Sequence, residues 1–269
     1  MIRFLQIMAL GCIVALFTGC NGHKENEPIW KHTKITDLAP AASSKRPTDR
    51  LKITTFNIFI FQMPAKNLDT LKGAWQILYT RPLKFNDYAA LRANSFSIGF
   101  GQNQMWDKIA DLLRAADAER IETVTLLLSD NKINDVAIAP LYDEQTISYV
   151  LRDGSLESAT MGPGIIVLRV KTEKIPGSRG VCKFDALPVF YSPVKSAIPQ
   201  LAARDKSAEL LFTPCRFALK MNPGDFLFLG PKRHLSGQST LDSLFFSRTD
   251  NDDKPILRTY LIVCSRIID

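Results

Sequence analysis

Histidine is the side chain best suited to move protons near neutral pH, and this 269-residue chain has three. His23 and His32 stand in a polar, proline-containing stretch, which leaves His234 in the part that reads as folded. A general base needs an acid to orient it and a nucleophile within reach. Ser236 and Ser239 are near in sequence, but no motif frames them, and His234 reads as a solvated loop residue beside Lys232 and Arg233. With no second histidine in the body and no C-x-x-C pair, neither a histidine-based metal site nor a zinc ribbon is expected. Ser192 and Lys195 have S-x-x-K spacing, and Ser129, Asp130 and Asn131 read S-D-N, the ingredients of a serine nucleophile with a lysine partner. That chemistry needs the serine at the start of a buried helix, whereas Ser192 ends a probable strand and Lys171-Thr172-Glu173 is not K-T-G. In "GFGQNQ" (99–104) Gln104 stands where a phosphate loop needs its third glycine. "DNDD" (250–253) lacks the alternating acids of a calcium loop and reads as a charged hairpin tip. No two acids are framed as a glycosidase pair. No catalytic, cofactor-binding or metal-ligating residue is therefore assigned.

The five cysteines say more. Arg3 is the sole charge in the first nineteen residues, and an apolar run from Phe4 to Phe17 follows it. This is the pattern of a secretory signal, too short to span a bilayer comfortably as a helix. Thr18, Gly19 and Cys20 close it. The run resembles the lipobox of bacterial lipoproteins, with Phe17 where leucine is commonest. The resemblance implies cleavage before Cys20 and acyl chains, palmitate among them, on its sulfur and new amino terminus. Each buried methylene contributes about 0.8 kcal/mol, so such an anchor holds stably. Asn21, rather than Asp, implies sorting to the outer membrane in enterobacteria, with the body facing the periplasm. Cys182, Cys215 and Cys264 remain, each in a strand-like segment. Three is an odd number in a compartment that permits disulfides. They read as small buried hydrophobes, with one disulfide and a spare thiol as the alternative.

Residues 20–50, after a signal peptide at 1–19, are polar and aperiodic and read as a lipidated flexible tether. The body opens with "LKITTFNIFIFQM", whose β-branched and aromatic density predicts a long strand. "NLDTLKGAWQIL" predicts one helix with Leu68, Leu71, Trp75 and Leu78 on its apolar face and Asn67 as cap. Asp87 is placed to cap a short helix reaching Arg92. "SFSIGFG" reads as extended. "NQMWDKIADLLRAAD" predicts a second helix with Met105, Ile109, Leu112, Leu113 and Ala116 inward, and "IETVTLLLSD" a strand. Together these form a small α/β unit, 51–130. Beyond it the helical period nearly vanishes. "DVAIAPL", "QTISYVLRD", "PGIIVLRVKTE", "ALPVFYS", "ELLFTPCRFALKM", "GDFLFLG", "SLFFSR" and "LRTYLIVCSRIID" read as strands between turns such as "NPGD", with one short helix in 198–208. The expected fold is α+β: the small α/β unit, then an antiparallel β-rich domain, 131–269. In the last strand Tyr260, Ile262 and Cys264 share one face and Leu261 and Val263 the other, which predicts a central strand covered on both sides.

The formal charge is +7. Basic residues are scattered rather than clustered, and an exported protein would rarely meet nucleic acid, so no nucleic-acid partner is expected. The closing stretch, "NPGDFLFLGP", "TLDSLFFSR" and "ILRTYLIVCSRIID", resembles the end of bacterial secretins. Gly224 and Gly230, Leu241 with Leu244 and Phe245, and Arg266 with Ile267 fall in matching places, while Asp242 and Ser265 replace a glycine and a proline. That resemblance implies an envelope protein of secretion or pilus machinery. The leading expectation is a non-catalytic envelope lipoprotein that holds a protein partner or wall polymer. A secretin-like assembly unit, or an enzyme whose site is assembled from distant residues, are the alternatives.

Overall fold

The computed structural model describes residues 53–192, 209–234, 239–250 and 252–268. Cys20, the signal and tether, Lys195, Ser236, Asn251 and the short helix expected in 198–208 lie outside these residues.

β1 (Ile53–Pro64) is the long opening strand. Two short helical turns follow, α1 (Leu68–Leu71) and α2 (Ala74–Ile77), where one helix was predicted. Tertiary bonds shorten it. Asn67 makes no cap; its side-chain amide donates to the Ala116 carbonyl and the Asp117 carboxylate, both at 3.0 Å. Leu78 turns extended so that Tyr79 can exchange two 2.8 Å backbone bonds with Phe100. β2 (Lys84–Phe85) leads into α3 (Tyr88–Ala93), whose cap is the one foreseen: Asp87 accepts from the Ala90 N–H at 2.8 Å. β3 (Phe96–Gly101), α4 (Trp106–Ala115) and β4 (Glu119–Ser129) come next. α4 buries Ile109 and Leu113, with Met105 and Leu112 partly covered, as its apolar spacing requires.

The rest is chiefly strand: β5 (Ile133–Leu141), β6 (Gln145–Val150), β7 (Leu156–Met161), β8 (Gly164–Lys174), β9 (Cys182–Tyr191), β10 (Glu209–Leu211), β11 (Phe217–Met221) and β12 (Phe226–Pro231). β7 was not foreseen. It is mostly exposed and pairs only with β6, through hydroxyl pairs such as Thr146 with Thr160 at 3.1 Å. "LFTPCRF" is not one strand: a 3-10 turn at Thr213–Cys215 separates β10 from β11, so Cys215 is buried in a turn. "SLFFSR" is corrected from strand to helix. α5 (Leu241–Phe246) buries Leu241, Phe245 and Phe246 at helical spacing, and the Ser243 hydroxyl receives the Thr240 N–H at 3.0 Å. β13 (Ser247–Thr249) and β14 (Pro255–Ile268) follow.

The described strands form two six-stranded antiparallel sheets and a separate two-stranded one, β6-β7. The first runs β3-β12-β14-β1-β4, with β13 also on β14; the second runs β2-β11-β9-β8-β5, with β10 also on β9. The division expected at 130/131 is therefore not a seam. β12 and β14, from the second half, stand between β3 and β1, from the first. The reason lies in β14, which pairs with β1 along its length and offers its other edge to β12. The inner faces share one core: Phe56, Ile58, Tyr260 and Ile262 of the first sheet meet Ile166, Phe184 and Phe217 of the second, with the Phe56 and Phe184 ring centroids 5.0 Å apart. The outer face of the first sheet carries a second core, where Phe228, Leu257 and Leu261 pack against Leu71, Ile109 and Leu113 of the helices. β14 is thus central and covered on both sides, as its sequence predicts. The outer face of the second sheet is polar. Arg169 bonds Asp135 and Glu209, Glu173 sits between Lys171 and Lys183, and Arg216 grips Asp185. Among the described residues no helix is long and apolar enough to cross a membrane.

Candidate functional site

The helical layer does not cover the first sheet completely, and a groove of about 630 Å³ opens where it stops. A ten-residue helix is about 15 Å long, while a twelve-residue strand extends about 40 Å. α4 therefore covers only part of the apolar face beneath it. Phe59 and Phe61 of β1, Phe226 of β12, Leu261 and Val263 of β14 and Trp106 of α4 line the groove. Alternation explains the aromatic pair: Phe56, Ile58 and Ile60 point into the sandwich, so Phe59 and Phe61 point outward. Gly101 makes room for the floor, because a Cβ there would lie 2.2 Å from the Phe226 ring. Trp106 meets the same ring edge-on at 6.3 Å.

The rim has one charge. Arg120 lies on β4 and its guanidinium stands 5.9 Å from the Phe59 ring centroid, within cation–π reach. Arg120 also belongs to the start of β4, the edge strand of the first sheet, and Ala118 immediately precedes it. That edge has β1 on one side and, among the described residues, no strand on the other. It also shows large apolar side chains to solvent: Leu127 is 65% exposed and Ile121 41%. An unpaired edge with apolar side chains is a template for another strand. The sequence predicts a strand at Phe59 and Phe61 and a helix at Trp106, and no motif joins them. The available signal was β1 itself, apolar on both faces and followed by too little helix to cover the second.

The residues singled out for chemistry are scattered. His234 Nδ1 lies 3.5 Å from the Ser247 hydroxyl, a serine that sequence reading did not pair with it. The Ser239 carbonyl accepts the Ser148 N–H at 2.9 Å and so belongs to the fold. Ser192 donates to the Pro163 carbonyl at one end of β8, while the Asn131 N–H bonds the Thr172 carbonyl near the other. At about 3.3 Å per residue those points are roughly 30 Å apart, so S-x-x-K and S-D-N do not form one site. Gln104 lies in the turn before α4. Asp250 closes its hairpin tip on the Asp252 and Lys254 N–H groups. Among the described residues no three potential ligands gather to hold a metal.

No protein-family model matches this chain, and no curated protein matches it. Among solved structures it is similar to the secretin InvG of the Salmonella SPI-1 type III secretion injectisome, at 12% identity and a TM-score of 0.23, covering 81% of this chain and 64% of that one. Another InvG structure, an atomic model of basal-body proteins InvG, PrgH and PrgK, matches with the same identity and TM-score over 46% of its chain. The InvG secretin-domain β-barrel matches at a TM-score of 0.20 over 63% of its chain. The chain thus spans less than two thirds of the length of these secretins, and the TM-scores fall below the level of a shared fold.

Proposed function

We propose that this is a non-catalytic, lipid-anchored protein of the bacterial envelope whose body holds a partner protein. One extended segment of the partner adds to β4, and its apolar side chains enter the groove above β1. The observation that carries this reading is the continuity of the two features: Arg120 belongs both to the groove and to the start of the free edge, with Ala118 just before it. Main-chain bonds along such an edge give affinity, and alternate side chains in a groove give specificity. The lipobox-like run ending at Cys20 supports the anchor and the envelope location, with the outer membrane favoured.

Crosslinking and pull-down from native membranes tests the partner. Arg120→Glu combined with Leu127→Lys should abolish capture while leaving the melting temperature near that of the parent, because both side chains are exposed. Retention of the same partner by that variant would remove the edge from the proposal. Cys20→Ser tests the anchor separately: it should leave the precursor unlipidated and move the protein out of the membrane fraction. A secretin-like unit is the second reading, favoured by the C-terminal pattern of Gly224, Gly230, Leu244, Phe245 and Arg266. Ring-shaped oligomers in detergent would support it over the first.

A further inference from the structure

A second recess lies at the opposite edge of the first sheet and has the reverse chemistry. It encloses about 340 Å³ beside β3, within the range of small-ligand sites. Three cations line it: Lys72 between α1 and α2, Arg92 on α3, and Lys232 just after β12. No aspartate or glutamate lines it. Lys72 has a partner in Asp69, which is itself 84% exposed and points the pair toward solvent. The Arg92 guanidinium donates to the Tyr88 hydroxyl at 3.1 Å and stands 5.6 Å from that ring's centroid, with no acid partner among the described residues. Lys232 has no ion pair among the described residues. Two cations without an acid partner there, and a third shared with an exposed acid, therefore meet in one recess, an arrangement that an anion would relieve.

The remaining walls are not those of a simple ion trap. Thr80 and Ser97 supply hydroxyls, and Trp75 and Tyr88 supply ring surface. The indole Nε1–H of Trp75 is buried with no partner among the described residues. Backbone contributes as well. Phe100 turns its N–H and C=O away from β12, toward Tyr79. Successive residues of a strand alternate, so Ile98, two positions earlier and also lining the recess, turns its N–H and C=O the same way. These are donors and acceptors for hydroxyls, flat surface for the C–H face of a ring, and cations for one anionic group.

We propose that this recess binds a phosphorylated sugar, its phosphate held among Lys72, Arg92 and Lys232 and its hydroxyls facing Thr80 and Ser97. The site is independent of the partner edge, which lies across the sheet at β4.

The test uses the full chain in detergent and follows binding of glucosamine 1-phosphate by calorimetry, with glucosamine and inorganic phosphate as comparators. The sugar phosphate should bind more tightly than either comparator and weaken as salt rises. Arg92→Gln with Lys232→Gln, both exposed, should weaken it by about tenfold or more, the scale of losing charged hydrogen bonds. A second arm separates free from lipid-borne sugar phosphate. The Cys20→Ser chain, which lacks the acyl anchor, is floated with phosphatidylcholine vesicles with and without lipid A, whose headgroup is a phosphorylated glucosamine disaccharide. Flotation that requires lipid A and is lost in the double variant assigns the headgroup; calorimetric binding without flotation assigns the free compound. Equal affinity for inorganic phosphate, or unchanged affinity in a folded double variant, overturns the proposal.

Discussion

At the scale of single residues, the three cysteines of the body differ sharply. Cys215 is buried in the turn between β10 and β11, and burial pushes its thiol up from the ordinary value. Cys182 opens β9 in one sheet and Cys264 lies in β14 of the other, and the two buried thiols couple across the sandwich. The coupling lowers the Cys182 thiol and raises the Cys264 thiol, because it favours the thiolate at Cys182 and the proton at Cys264. A thiolate attacks a disulfide, so Cys182, buried in the folded chain, is the entry point for exchange whenever the sandwich opens locally. Oxidised glutathione should therefore join Cys182 to Cys264: the two thiols give up two protons and two electrons, and the glutathione disulfide is reduced. A non-reducing peptide map reads the outcome, and a cross-link to Cys215 would contradict it. On the outer face of the second sheet, hydrogen bonds from Lys171 and Lys183 bring the Glu173 carboxyl down from an ordinary 4.5 to about 2. A depressed acid stabilises the fold above its unfolded pKa and loses that contribution as pH falls through the folded one. Thermal stability should thus decline between about pH 4.5 and pH 2, and Glu173→Gln should flatten part of that decline. An acid limb identical in the variant would show that the two lysines do not stabilise this carboxylate.

At the scale of elements, β14 carries the sharpest expectation. Ile262 is fully buried between β1 and β12. Truncating such a side chain removes its transfer energy and leaves a cavity, about 2–5 kcal/mol in all, against a typical domain stability of about 5–15 kcal/mol. Ile262→Ala in the fragment from residue 50 should lower the melting temperature by many degrees; a shift of only a degree or two would mark the strand as peripheral. β14 was legible because both its faces are apolar, and α4 because Ile109, Leu113 and Ala116 repeat at helical spacing. The Asp87 cap was legible from one residue type at one position. What escaped depended on partners distant in sequence. The turn at Leu78 answers to Phe100, and β7 has too few apolar residues to announce itself. Leu241 to Phe246 can be read at period two or at period four until the Thr240–Ser243 bond decides. The two candidate sites escaped for the same reason. Each is made by several elements, and no pair of its residues forms a motif.

At the scale of the whole molecule, the asymmetry between the sheets organises everything else. The second sheet has one dry face and one charged face, while the first is dry on both and is only partly roofed by short helices. The groove is what that partial roof leaves open. Sequence composition could not reveal this, because it depends on which strands become neighbours. The pairing of β1 with β14 sets a further condition, one of time. The first and last described strands lie side by side, so a chain that emerges amino end first cannot close its central sheet until some two hundred later residues have followed. Contacts between such distant segments form slowly. Until the last strand arrives, β1 can pair on one edge with β4, while the edge that β14 will take stays open to proteases and to other strands. A chain stopped at residue 254, just before β14, should stay sensitive to proteinase K however long it is given to fold, and should become resistant when a separate peptide of residues 255–269 is supplied.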